Sequence, residues 1–374
     1  MRIGIPTEIK SDEFRVGLVP GSVRELVAHG HEVIVQAGAG AGIFADDATY
    51  AKAGARIAAT AEEVFRDADM IVKVKEPQTA EWKRLRPDQI LFTYLHLAPD
   101  PQQAIGLMQS GVSAIAYETV TDAKGGLPLL APMSEVAGRL SIEAAAIALR
   151  RPAGGRGVLL GGVPGVKPAK VVVLGGGVVG THAARMAAGL GASVSVIDKS
   201  LPRLRQLDEL FEGRVVTLDA TMETIESEIL SADVVIGAVL VAGASAPKLV
   251  KREMLKDMKT GAVLVDVSID QGGCFETSHP TTHAHPTFEV DGIIHYCVAN
   301  MPGAVPVTSA QALNNATLPF VIKLADKGLA AFDRDPNLAA GLNVKAGRIM
   351  HPAVAASLGF DSLDSSRSFR AAAE

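Results

Sequence analysis

The sequence has 374 residues, of which 48% are hydrophobic, 21% charged and 4% aromatic, and its formal net charge is −5. This length predicts two or three domains of about 100 to 200 residues each. The acidic balance and the scarcity of aromatic residues argue against nucleic acid or an anionic membrane as partner. Charged residues near the N-terminus and the lack of a long apolar run argue against a signal peptide or membrane span, so we expect a cytoplasmic protein.

Short apolar segments alternate with helical patterns through the first 130 residues. A helix is expected at residues 22–29, and strands are expected at residues 2–6, 32–36, 70–74, 90–95 and 113–117. This alternation is typical of an α/β domain with a mostly parallel sheet. The Gly/Ala-rich stretch at residues 37–47 has no strand–helix frame around it, so we expect a turn there rather than a phosphate-binding loop.

A long helix at residues 133–151 leads into a segment with the pattern of a dinucleotide site. Residues 170–198 read as a strand, a G-x-G-x-x-G loop, a helix and a second strand that ends in an acid. Gly175 makes the tight turn, Gly177 lets the backbone approach a pyrophosphate, and Gly180 lets the helix pack closely on the strand. The helix N-terminus then offers N–H groups to the phosphates.

Asp198 ends the second strand, where a carboxylate can accept hydrogen bonds from the ribose hydroxyls. A carboxylate would repel a 2′-phosphate, so the predicted cofactor is NAD rather than NADP. The alternative is a glycine-rich strand–helix turn that binds no ligand.

Four further strands, expected at residues 214–218, 233–238, 262–268 and 293–298, complete a six-stranded doubly wound set. The remaining residues suggest an amphipathic helix at 308–329 and short helices and turns at 335–360, too little for a separate core. We therefore predict two Rossmann-like domains, with the NAD-binding domain (residues 131–304) inserted in a split substrate domain (residues 1–130 plus 305–374).

Several polar residues follow apolar strands, and ligands of open α/β sheets bind at the carboxyl ends of strands. His96 is the candidate general acid/base, since imidazole exchanges protons near neutral pH. Its alternative is a structural histidine that caps a strand end. Arg15 and Lys75 can hold a carboxylate, or they are ordinary surface cations. Asp270 can orient water or ammonia, or it is a turn aspartate.

The histidines His279, His283 and His285 raise the question of a metal site. No carboxylate or cysteine completes a zinc spacing with them, and Cys274 and Cys297 form neither a metal motif nor a disulfide framework. We therefore expect no bound metal. The loop at residues 299–303 is expected to close over the nicotinamide, to link the domains, or both.

Ordered motifs from residue 1 to about residue 360 resemble the L-alanine dehydrogenase family. They include RIGIPTEIKSDEFRVGLVP, KVKEP, LFTYLHLA, LPLLAPMSEVAGRLS, VDVSIDQGGCFETS and VANMPGAVP. The resemblance implies a reversible reaction in which L-alanine, NAD and water give pyruvate, ammonium and NADH, and it implies a homohexamer. The family also resembles the nicotinamide-binding subunit of proton-translocating transhydrogenase, which is the alternative function.

The resemblance also assigns roles to individual residues. Arg15 and Lys75 match the substrate-binding pair, His96 matches the catalytic acid/base, and Asp270 matches the second catalytic residue. The positions that match cofactor contacts are Ser134, Gly175, Gly177, Val178, Gly180, Asp198, Arg203, Val239, Leu240, Val267, Ser268, Ile269, Asp270, Val298, Ala299, Asn300 and Met301.

Three positions depart from the pattern expected of the family. Ala242 replaces a proline, Ala220 replaces a serine that can contact the cofactor, and His279 stands where an arginine is often found. The catalytic set is unaffected. Retention of His96 together with KVKEP, and the absence of a membrane extension, favour the dehydrogenase over the transhydrogenase subunit.

Overall fold

The computed structural model describes residues 1–239 and 246–359, and the chain divides into two compact units. One comprises Met1–Pro132 and the chain from Val305 onward, and the other comprises Met133–Ala304. Within the described residues the strands are β1 (Arg2–Ile5), β2 (Glu32–Gln36), β3 (Arg56–Ala58), β4 (Met70–Val72), β5 (Ile90–Thr93), β6 (Ser113–Ala116), β7 (Lys170–Leu174), β8 (Ser193–Asp198), β9 (Val216–Asp219), β10 (Val234–Gly237), β11 (Val263–Asp266), β12 (Thr287–Val290), β13 (Ile293–Tyr296), β14 (Leu342–Lys345) and β15 (Arg348–Ile349).

The helices lie mainly between the parallel strands. They are α1 (Pro20–Ala28), α2 (Asp47–Lys52), α3 (Ala61–Asp67), α4 (Thr79–Trp82), α5 (Pro101–Ser110), α6 (Ala131–Ala148), α7 (Val178–Gly189), α8 (Leu201–Phe211), α9 (Met222–Leu230), α10 (Arg252–Leu255), α11 (Pro306–Lys327), α12 (Pro336–Ala339) and α13 (Pro352–Leu358). Among the described residues, no helix has both the length and the apolar character needed to cross a bilayer.

The first unit contains an eight-stranded sheet in the order β15-β14-β6-β5-β4-β1-β2-β3. Strands β1 to β6 are parallel, whereas β14 is antiparallel to β6 and to β15. Helix α11 returns to this unit, where buried Asn314 accepts from the Val19 N–H (2.9 Å) and donates to the Gly17 carbonyl (3.2 Å). The C-terminal part of the chain therefore packs on the loop that follows β1.

The second unit contains a seven-stranded sheet in the order β12-β13-β11-β10-β7-β8-β9. Strand β7 is continuously apolar in sequence because both of its faces are buried. Val171 and Val173 pack in the core on one face, and Val172 and Leu174 pack in the core on the other, because successive side chains point to opposite faces. Helices cover both faces, which is the arrangement of a doubly wound sheet.

The eleven strands expected from the sequence are present, and residues 1–239 and 246–359 contain four further strands that were missed. β3 and β12 are short edge strands with exposed residues, so their pattern is weak. Residues 335–360 were expected to form only helices and turns, and this prediction was wrong for β14 and β15. They form a hairpin whose turn residues, Ala346 and Gly347, both have positive φ (47° and 77°). The Ala-Gly turn lacks the usual Asn-Gly or Asp-Gly signal, which is why the pattern did not reveal it.

Candidate functional site

In the first unit, Arg15, Lys75 and His96 follow three strands that are neighbours in the sheet, β1, β4 and β5. The ends of β4 and β5 are tied together, because the Thr93 hydroxyl donates to the Lys75 carbonyl at 2.9 Å. The carboxyl ends of parallel strands meet at one edge of a sheet. Choosing polar residues that follow strands therefore selects residues from one region of this unit.

Arg15 is buried, with 2% of its surface exposed, and is held by Glu13 through two parallel hydrogen bonds. Its Nε lies 2.7 Å from Glu13 Oε1, and its Nη2 lies 2.5 Å from Glu13 Oε2. Burial acts to lower the pKa of Arg15, but the hydrogen bonds and charge of Glu13 outweigh it and raise that pKa. Lys75 is also buried. The alternative that these two residues are surface cations is therefore wrong.

The backbone that carries Lys75 is held by the buried carboxylate of Glu8. Glu8 accepts the N–H groups of Val74 (2.7 Å) and Lys75 (3.3 Å) and binds the ammonium of Lys73 (3.0 Å). Burial raises the pKa of Glu8, and the charge of Lys73 opposes that shift. Lys73 is buried between Glu8 and Glu81, its second carboxylate partner at 2.9 Å. Sequence reasoning missed this group, although a lysine at the end of an apolar strand was a usable signal.

His96 has an exposed side chain and a left-handed backbone, with φ of 47°. Its ring stacks on that of Tyr94, with centroids 5.7 Å apart and an interplanar angle of 9°. Tyr94 is buried and donates its hydroxyl hydrogen bond to the Leu129 carbonyl at 2.6 Å. A fixed aromatic ring therefore supports the exposed imidazole from one side.

In the second unit, the glycines of the loop after β7 have the geometry that a dinucleotide loop requires. Gly175 has φ of 98°, and a Cβ on Gly180 would lie 1.8 Å from the Gly175 carbonyl oxygen. By contrast, a Cβ on Gly177 would have no protein atom within 4 Å. Gly177 also occupies the N-cap position of α7, where it has no side chain to cap the helix N–H groups. The loop therefore leaves space and donors that fit a pyrophosphate.

Asp198 and Arg203, both matched to cofactor contacts, also support this loop. Asp198 accepts from the N–H groups of Gly176 (2.7 Å) and Ser200 (2.8 Å). Arg203 donates to the Gly176 carbonyl and to the Thr181 hydroxyl, both at 2.6 Å. The sequence indicated a ligand role for both residues and gave no sign of this structural role.

A buried carboxylate that sequence reasoning missed, Asp266, organises the loop after β11. Burial raises its pKa, and hydrogen bonds to the carboxylate oppose that shift. The donors are Ser278 Oγ (2.6 Å) and the backbone N–H groups of Cys274 (2.8 Å), Ser268 (3.2 Å) and Phe275 (3.3 Å). In the same loop Asp270 is exposed on the short 3-10 helix Ile269–Gln271.

The other positions matched to cofactor contacts differ in accessibility. Val178 is exposed, whereas Ile269, Val298 and Met301 are buried. Ser268 Oγ donates to the Val239 carbonyl at 2.8 Å, which joins two of the matched loops. Ser134, Val267, Ala299 and Asn300 are partly exposed. Leu240 and Ala242 lie outside the described residues.

The histidines of the segment at residues 279–285 make separate contacts. The ring of His279 stacks on Phe288, with centroids 3.7 Å apart, and His283 Nε2 lies 3.2 Å from the Asn300 carbonyl oxygen. Across residues 1–239 and 246–359, no group of three or more His, Cys, Asp or Glu side chains is placed to hold a metal ion.

Comparison with known proteins gives the family of this chain. Models of the alanine dehydrogenase/PNT N-terminal and C-terminal domains match residues 4–137 and 141–352. The alanine dehydrogenase of Halomonas elongata is 58% identical over 362 residues, which cover 96% of this chain and 98% of the relative.

Solved structures give the same result. An L-alanine dehydrogenase matches with a TM-score of 0.93 and 55% identity, over 96% of this chain and 99% of that one. A transhydrogenase from Sinorhizobium meliloti matches with a TM-score of 0.80 and 27% identity, over 94% and 100%. The chain belongs to the alanine dehydrogenase/PNT family, with two largely parallel α/β sheets and a dinucleotide-binding fold.

Proposed function

We propose that this chain catalyses the reversible, NAD-dependent oxidative deamination of L-alanine to pyruvate and ammonium. The observation that carries the proposal is the grouping of buried Arg15 and Lys75 with the exposed imidazole of His96 after three neighbouring strands. The reaction itself is inferred from the family. The chain is 58% identical to one alanine dehydrogenase but only 27% identical to the transhydrogenase. This difference favours the dehydrogenase over the alternative function.

The second unit supports NAD as the cofactor. The open space at Gly177, the uncapped N–H groups of α7 and the carboxylate of Asp198 fit a pyrophosphate followed by an unphosphorylated ribose. NAD, when bound, supplies a hydride acceptor for the α-carbon of the substrate. The remaining matched positions are proposed to border it.

The charged residues of the first unit are proposed to hold the substrate. Arg15 binds the carboxylate, since its guanidinium offers paired donors in a fixed plane. Lys75 holds the opposite, carbonyl or amino end. Orienting the α-carbon in this way lowers the entropic part of the barrier.

His96 is proposed to handle the protons of the hydrolytic steps. Its neutral imidazole accepts a proton as water adds to the carbon of the iminium, which forms the carbinolamine. It returns this proton to the amino group and, as the C–N bond breaks, takes the hydroxyl proton of the carbinolamine, so that ammonia leaves and pyruvate forms. Asp270 is proposed to orient water and ammonia in these steps.

The family resemblance also supports a cytoplasmic homohexamer. Light scattering on the purified protein measures the mass of the assembly directly, and a mass of one or two chains would exclude the hexamer. Neither the compartment nor the assembly bears on the chemistry proposed above.

An assay of the purified protein tests the proposed activity. L-alanine and NAD should produce NADH, followed by its absorbance, and pyruvate, ammonium and NADH should give the reverse reaction. Glyoxylate is a useful additional substrate, because a small pocket rejects a substrate one methyl group smaller only weakly. Hydride exchange between nicotinamide nucleotides without any response to alanine would instead support the transhydrogenase function.

A further inference from the structure

The backbone of His96 has a conformation that L-residues rarely adopt. Its φ of 47° lies in the left-handed region, which is unfavourable for a residue with a Cβ. Such a conformation persists only where the surrounding structure holds it. The contacts of residues 94–96 therefore show what holds the imidazole in place.

Two side chains bind the backbone at this turn. Glu118 Oε1 accepts the N–H of His96 at 2.7 Å and the N–H of Leu95 at 3.1 Å. The buried side chain of Gln103 donates to the Leu95 carbonyl at 2.8 Å. Glu118 belongs to the 3-10 helix Tyr117–Thr119, which directly follows the neighbouring strand β6. The turn is thus fixed from a second strand end.

We propose that Glu118 is the positioning residue of His96, which deepens the function proposed above and rests on it. The carboxylate acts on the backbone and not on the imidazole ring, because its hydrogen bonds are to the N–H groups of Leu95 and His96. Hydrogen bonds to two successive N–H groups offset the cost of an unfavourable backbone conformation. Without them the turn relaxes and the imidazole leaves its position against Tyr94.

The test compares Glu118→Ala with Glu118→Gln in steady-state assays of L-alanine oxidation. Glu118→Ala should lower kcat about 100-fold, the scale of a displacement of about 1 Å at a reacting group. The KM for L-alanine and the Kd for NADH should stay within about threefold of wild type, because Glu118 is not among the residues proposed to bind either ligand. Glu118→Gln keeps an acceptor oxygen and should recover most of the activity.

Glu63→Ala is the matched control. Glu63 also accepts a backbone N–H, that of Ala59 at 2.9 Å, but it does so on α3, in a segment without predicted site residues. Its removal should leave kcat unchanged. An equal loss of kcat in Glu63→Ala would mean that general loss of structure explains both results, and it would overturn the proposal.

A double-mutant cycle separates positioning from a direct role of Glu118. In a His96→Ala background, Glu118→Ala should cause no further loss of kcat, since the group it positions is absent. An undiminished loss in that background would overturn the proposal. If Glu118→Ala does not fold, Glu118→Asp replaces it. Asp keeps the charge but is one methylene shorter, so it should be less active than Glu118→Gln, and the opposite order would overturn the proposal.

The same assays distinguish failure of this inference from failure of the proposed function. Wild-type protein that forms no NADH from L-alanine would reject the function and the inference together. Active wild type with an equally active Glu118→Ala variant would reject the positioning role alone.

Discussion

Asp198 accepts a hydrogen bond from the backbone N–H of Gly176 at 2.7 Å, so one carboxylate supports the loop that is proposed to bind the pyrophosphate. Its other oxygen accepts from the Ser200 N–H. Each carboxylate oxygen has two acceptor sites, so these bonds leave capacity for ribose hydroxyls. Loop shape and cofactor choice therefore depend on the same side chain and can be separated by substitution.

Asp198→Asn should relax the preference for NAD over NADP and leave the loop in place. The amide oxygen can still accept from Gly176, whereas the negative charge that repels a 2′-phosphate is gone. We expect the NAD-to-NADP ratio of kcat/KM to fall about 10-fold, equivalent to about 1.4 kcal/mol. Asp198→Gly should lower the ratio and also the melting temperature. An unchanged ratio in both variants would count against the ribose contact.

Gly177→Ala and Gly180→Ala form a matched pair in the same loop. A methyl group on Gly177 meets no protein atom within 4 Å, so this variant should melt like wild type but bind NADH more weakly. A methyl group on Gly180 meets a backbone oxygen at 1.8 Å, so that variant should be destabilised even without cofactor. Thermal melts and NADH titrations measure both effects. Wild-type NADH affinity in Gly177→Ala would argue against a pyrophosphate at this position.

Glu13→Ala should destabilise the protein and weaken substrate binding. It removes one partner of a buried ion pair, a change that costs about 3–5 kcal/mol. The KM for L-alanine should rise, because Glu13 fixes the plane of the Arg15 guanidinium. Urea unfolding measures the stability change.

Glu32→Ala is the control for that variant, since the Glu32–Arg56 pair is about half exposed and such pairs contribute about 0–1 kcal/mol. Equal losses of unfolding free energy in Glu13→Ala and Glu32→Ala would show that the buried Glu13–Arg15 pair stabilises the protein no more than an exposed pair does.

The sequence predicted features that depend on local pattern. The glycine loop is one of them. The backbone requires glycine at Gly175, which has a positive φ, and at Gly180, where a Cβ would clash with a carbonyl oxygen. The residues of the first unit were found from a rule about strand ends, which needs only the strands and their direction. Both kinds of inference use short stretches of chain.

The supporting carboxylates could not be predicted in the same way. Nothing in the sequence marks Glu8, Glu13 or Asp266 as buried, because burial of a charge depends on partners that the chain brings together only on folding. Glu118 is distant from His96 in sequence and meets it because β5 and β6 are neighbours in the sheet. Sequence patterns identify the groups proposed to react, and tertiary contacts decide which residues hold them.

His96→Ala should lose most of kcat and keep its affinity for NADH. General acid/base groups contribute about 10²- to 10⁴-fold to the rate, and the exposed imidazole belongs to the first unit, whereas the glycine loop belongs to the second. Steady-state kinetics give kcat, and NADH fluorescence titration gives the Kd. Near-normal turnover with tight NADH binding would refute the proposed role of His96.

Cys274 and Cys297 should resist alkylation in the folded protein. Burial raises the pKa of Cys274 to about 11 and that of Cys297 to about 12, which disfavours the reactive thiolate. Iodoacetamide at about pH 8 should therefore label neither thiol in the native protein and both in guanidinium, as counted by mass spectrometry. Raising the pH towards about 9 should speed labelling of the unfolded chain, whose thiols ionise near their ordinary pKa, and should leave the native protein unlabelled. Labelling of native Cys274 as fast as in guanidinium would show that the loop after β11 opens readily.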